Sequence, residues 1–137
     1  MNRHSLNYIH SERLKEVAPK EWAACYDLLN QPVPDFKLIP LALHELLDRY
    51  ERIPENYHTI TAILFKIFVP YKLQYPEIRL FNGIRSMIAK ALRFNHLTQV
   101  NEYTAMIPVY WQRPNWRAEV TAVAEEIAEI INKESKQ

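Results

Sequence analysis

Glycine is nearly missing from this chain: Gly83 is the only one in 137 residues, set against nine prolines. Tight β-hairpin turns draw on glycine at positive φ, so the scarcity argues against a hairpin-rich β architecture and for helices punctuated by proline. It also excludes the Walker loop, the dinucleotide-binding fingerprint and the Gly-x-Ser-x-Gly nucleophile elbow. Cysteine is equally scarce. Cys25 stands alone, so no intramolecular disulfide is available, which suits a reducing compartment and leads us to expect a cytoplasmic protein. Nor does any apolar run approach the roughly 20 residues of a membrane span. The greasiest window, Ile60 to Val69, is interrupted by Lys66 and reads as a core helix, and MNRHSLNYIH has no signal-peptide apolar stretch.

What is present is a 48% hydrophobic side-chain content, enough for one core. The expectation is an all-α fold: a compact single-domain bundle of about five or six helices over residues 1–137, with a frayed lead-in at 1–10 and a frayed tail at 134–137. The net charge of +1 decides little, but its distribution is uneven. Residues 1–65 carry seven Lys/Arg against nine Asp/Glu, residues 66–117 eight against two, and residues 118–137 two against five. That asymmetry bears on electrostatic partners and not on fold.

In chain order, Ser11 is positioned to cap a short helix through Val17, and Pro19 to begin a second that runs to about Asn30 with Trp22, Cys25, Tyr26 and Leu29 toward the core. QPVPDFKLIP reads as an extended connector. Leu41 to Ile53 is amphipathic, with Leu43, Leu46, Leu47, Tyr50 and Ile53 on one face. Asn56 is the expected cap of a central helix from Tyr57 to Phe68, in which Ile60, Ile63, Leu64, Ile67 and Phe68 leave little exposed surface. The stretch PEIRLFNGIRSMIAKALRF, Pro76 to Phe94, reads as one helix with Gly83 in its middle, a neighbour of the central helix. A short helix from about Leu97 to Met106 and an aromatic loop come next. Asn115 then caps a helix from Trp116 to about Lys133, whose Trp116, Val120, Val123, Ile127 and Ile130 form a heptad-like seam opposite Glu119, Glu125, Glu126 and Glu129.

Two constellations bear on function. The Pro76–Phe94 helix sets Arg79, Asn82, Arg85, Ser86, Lys90 and Arg93 opposite its apolar sector, a face suited to phosphates or to an acidic protein surface. The loop that follows adds Tyr110, Trp111 and Arg113, flat rings beside a cation, as in single-strand stacking sites. The second constellation is His44, Asp48 and Glu51 at i, i+4, i+7, with His58 across a turn. It lacks the HExxH and Glu-x-x-His spacings of metal sites and reads as a polar helix face with an i, i+4 pair. Cys25 sits at a core-facing position without a histidine tied to it.

The sequence therefore leads us to expect a non-enzymatic helical binding module with no cofactor and no metal. Its partner is nucleic acid or an acidic protein surface, with no membrane contact, and the C-terminal seam offers a route to an oligomer.

Overall fold

The computed structural model describes residues 2–73, 75 and 83–136, with the backbone alone at residue 28. Among these residues there are seven α-helices and no strand: α1 (Arg3–Val17), α2 (Pro19–Leu29), α3 (Ile39–Arg49), α4 (Pro54–Phe68), α5 (Ile84–Ala91), α6 (Thr98–Trp111) and α7 (Pro114–Ser135). The all-α class holds, with seven helices rather than five or six. None of them is long and apolar enough to cross a membrane. The chain divides into two compact units, Met1–Pro32 and Val33–Gln137.

In the first unit, helix begins much earlier than the sequence pattern suggests. Asn2 is the cap, its side chain accepting the Ser5 N–H at 2.8 Å, so the expected lead-in is helical from Arg3. Ser11 consequently lies mid-helix, where its hydroxyl accepts the Trp22 indole N–H at 3.1 Å. Ala18, out of the helical region as a residue before proline should be, separates α1 from α2, and Pro19 opens the second helix without wasting an amide. Trp22, Cys25, Tyr26 and Leu29 do share one face of α2, but that face is not a core. Cys25 is exposed, and Tyr26 and Leu29 are 52% and 53% exposed. No residue of α1 is buried.

The second unit is organised around α4. From Thr59 to Phe68 every residue but Lys66 is buried, including each apolar position named from the sequence. This helix packs on α3, α6 and α7. It starts at Pro54, and not at an Asn56 cap; the Asn56 side chain instead donates to the Glu51 carbonyl at 2.9 Å. On α3, Ile39, Ala42, Leu43 and Leu46 are buried, with Leu47 and Tyr50 partly so. α5 is seated on α3 and α6, and not chiefly on α4 as chain proximity suggested.

Three boundaries differ from expectation for identifiable reasons. Gly83 has φ +104° and precedes α5, its carbonyl accepting the Met87 N–H at 2.9 Å, so the expected helix does not run unbroken through this position, and the part of it expected before Gly83 lies outside the described residues. No atom lies within 4 Å of where its Cβ would be, so conformation and not close approach calls for glycine. α6 continues through Pro108 to Trp111, turning the expected aromatic loop into helix; burial of Ile107 outweighs the amide lost at the proline. α7 starts at Pro114, after Arg113 and not after Asn115. Its buried positions are Val120, Ala124, Ile127 and Ile131, so the inward face is rotated from the expected seam, with Val123 and Ile130 half-buried at its margin. These positions are spent against α3 and α4 inside the unit.

Leu64 is fully buried, so Leu64→Ala should cost about 2 to 5 kcal/mol through lost transfer energy and the cavity left behind. The Thr61 hydroxyl, by contrast, is buried without a hydrogen-bond partner among the described residues. Replacing it with the isosteric valine should stabilise the protein by about 1 kcal/mol, since an unsatisfied polar atom leaves the core. Chemical denaturation of both variants checks the pair, and a neutral Leu64→Ala would mean that α4 is not the centre of the core.

Candidate functional site

The exposed edge of α5 presents Arg85, Ser86 and Lys90, followed by Arg93 just past the helix end. Arg79 and Asn82, the other two members expected on this face, lie outside the described residues. The edge exists because Ile84, Ile88 and Ala89 are buried and fix the rotation of the helix. Arg85 is partly engaged, donating to the Asn101 side chain of α6 at 3.1 Å. Lys90 and Arg93 make no side-chain hydrogen bond or ion pair among the described residues.

The end of α5 is built as a Schellman turn. The Phe94 N–H reaches back to the Ala89 carbonyl at 2.8 Å, and the Arg93 N–H to Lys90 at 3.3 Å. That geometry demands a left-handed residue, and Arg93 occupies it with φ 60°, a conformation glycine holds at less cost. Arg52 adds a third cation here: its Nε donates to the Ala91 carbonyl at 2.8 Å, placing a guanidinium on the negative end of the helix. The same dipole accounts for Lys90 in the last turn. It does not require an arginine at position 93.

Phe94 begins a ladder of rings. It stacks on Tyr103 at 5.4 Å, and Tyr57 meets both edge-on at 5.1 and 5.3 Å. His58 lies between Tyr103 and Tyr110, 4.8 Å from each. Beyond it Tyr110 and Trp111 pack against Trp116, and Arg113 lies over the Tyr110 ring at 4.5 Å. The Trp116 indole N–H donates to the Thr59 hydroxyl at 3.0 Å. The structure thus gathers Tyr110, Trp111 and Arg113 as expected, but as rungs of helix packing and not as an open loop. Tyr57, His58, Phe94 and Tyr103 were missed. Tyr103 and Tyr110 are seven residues apart on one face of α6, a signal that becomes visible only when that helix is extended through Pro108.

Two groups of the ladder are shifted from their ordinary protonation range. Burial, then Tyr57, Glu102 and Glu55, push the Tyr103 hydroxyl above its ordinary range. Burial holds the His58 imidazole below its usual value. Two of the five glutamates of α7 are engaged elsewhere: Glu126 pairs with Arg49, and Glu119 accepts the Tyr50 hydroxyl at 3.4 Å. Burial first and then that carboxylate push Tyr50 up to about 12. His44 and Asp48 form an exposed i, i+4 pair at 3.8 Å, while Glu51 lies beyond the end of α3. Among the described residues no three His, Cys, Asp or Glu side chains gather as metal ligands. No family model, curated protein or solved structure matches this chain.

The depressed His58 value has a sign that can be checked. The unfolded chain takes up its proton near pH 6.5, whereas the folded chain resists until lower pH, so this contribution is complete above about pH 6.5 and is lost as pH falls through the folded value. The melting temperature of the wild type should fall more steeply below about pH 6.5 than that of His58→Phe, which keeps a ring in the ladder but cannot titrate. Parallel acid limbs would show that His58 titrates as freely folded as unfolded.

Proposed function

We propose that the protein is a non-enzymatic protein-interaction module of the cytoplasm, which engages an acidic protein surface through Arg85, Ser86, Lys90 and Arg93. The observation that carries this reading is Arg93: an exposed, unpaired cation kept at a left-handed position where glycine would be less strained. Backbone strain held by a non-glycine residue clusters at binding and catalytic sites, which supports this reading. Cytoplasmic placement rests on the exposed thiol of Cys25, which a reducing compartment preserves.

Nucleic acid is the weaker reading. Base stacking needs open ring faces, and Tyr103 is stacked on Phe94 while Tyr110 is packed by His58, Trp116 and Arg113. An acidic protein surface needs only the α5 edge.

The informative variant is Arg93→Gly. It removes the charge and relaxes the backbone, so the protein should become about 1 kcal/mol more stable while losing affinity for an acidic partner. Polyglutamate peptide and single- and double-stranded DNA and RNA serve as probes in fluorescence anisotropy at about 20 mM salt. Polyglutamate should bind the wild type and bind Arg93→Gly and Lys90→Gln several-fold more weakly, with no binding of any nucleic acid. Tight nucleic-acid binding, with a salt slope that falls by about 0.9 per lost cation, would replace this reading with a phosphate-binding one.

A further inference from the structure

The last turn of α5 gathers more cationic charge than its own chemistry calls for. A helix leaves its final four carbonyls without intrahelical partners. In α5 all four are served: Ile88 accepts the Leu92 N–H at 2.9 Å, Ala89 that of Phe94 at 2.8 Å, Lys90 that of Arg93 at 3.3 Å, and Ala91 the Arg52 Nε–H at 2.8 Å. What remains at such an end amounts to about half an elementary negative charge. Three cations meet it: Arg52, bonded to the Ala91 carbonyl, Lys90, one residue before that carbonyl, and Arg93, two residues after it. None of the three forms an ion pair among the described residues. Glu51 adjoins Arg52 in sequence and Glu55 lies in the first turn of α4, yet neither carboxylate pairs with any of them.

Arg52 is the best placed to hold an anion. It is half-buried, whereas Lys90 and Arg93 are exposed. Its Nε is fixed to the helix carbonyl, and the four N–H groups of Nη1 and Nη2 have no partner among the described residues. Among those residues that are not exposed, only the Thr61 hydroxyl is buried without a partner, so both Nη atoms reach solvent. A guanidinium held at Nε and open at both Nη atoms is a planar fork, already immobilised, whose two nitrogens match the two oxygens of a carboxylate. Arg85 stands apart, since it donates to Asn101 at 3.1 Å and lies about 140° from Lys90 around the helix.

We infer that a carboxylate of the partner, from an Asp or Glu side chain, docks at the C-terminal end of α5, chelated by Nη1 and Nη2 of Arg52 and flanked by Lys90 and Arg93. This rests on the acidic-partner reading above and adds to it the anchoring residue and the group it grips. Lys90 and Arg93 supply attraction at a distance; Arg52 supplies the geometry.

Fluorescence anisotropy with polyglutamate at about 20 mM salt separates the anchor from the reading it rests on. Arg52→Lys keeps the charge and loses the fork, so affinity should fall about tenfold with the salt dependence unchanged, whereas Lys90→Gln should lower both. NMR of the unmodified protein gives a readout that no variant's folding can disturb: polyglutamate should shift the Arg52 Nε–H and Nη–H resonances and leave in place those of Arg117, an exposed arginine of α7. No binding of polyglutamate by the wild type would remove the acidic-partner reading and the anchor with it. Binding that Lys90→Gln weakens and Arg52→Lys does not, or Arg52 resonances that stay fixed while those of Arg93 move, would overturn the anchor alone. Tighter binding of a polyphosphate of equal charge would overturn the assignment to a carboxylate.

Discussion

Enclosure of one helix sets the constraint on which the second unit depends. α4 is surrounded from Thr59 to Phe68 so fully that three neighbours must each present an apolar stripe to it, and those stripes fix how α3, α6 and α7 are rotated. The rotation of α7 follows: because Val120, Ala124, Ile127 and Ile131 turn inward, Glu119 and Glu126 arrive beside Tyr50 and Arg49. The rotation of α6 sets Tyr103 and Tyr110 on either side of His58. Even the polar interior obeys the same demand, since the Thr59 hydroxyl within α4 accepts the only N–H that the Trp116 indole possesses.

α5 has a different standing. It leans on α3 and α6 through Ile84 and Ile88, and its outer edge is left to solvent. The cations there have unequal explanations. Arg52 and Lys90 answer the negative end of a helix, and Arg85 is tied to Asn101, whereas Arg93 pays for its place in backbone strain with no partner to show for it. Charge alone would not have separated these four residues; the backbone conformation does.

Strong periodicity was legible in the sequence, and weak periodicity was not. The stretch from Ile60 to Phe68 announced a buried helix because nearly every position is apolar, and α3 showed its inward face because leucines recur at helical spacing. α1 announced nothing, since it buries no side chain and so imposes no pattern, and its Asn2 cap stands in what read as a frayed lead-in. Pro108 misled in the opposite way, as a local breaker overruled by tertiary packing around Ile107. At the candidate site the four described members of the basic face could be read from a helical wheel. The ring ladder could not, because Tyr57 and His58 stand some 45 residues from Tyr103 and meet it only through the packing of α4 on α6.

Gly83 and Arg93 bracket α5 with positive φ, one at each end. A helix closed by left-handed residues on both sides can neither lengthen by propagation nor slide along its sequence. Arg85 and Lys90 are therefore held about 7.5 Å apart along the axis, at 1.5 Å per residue. The α5 edge is thus a ruler of fixed length, its charges set by helix geometry and not by the chain beyond it.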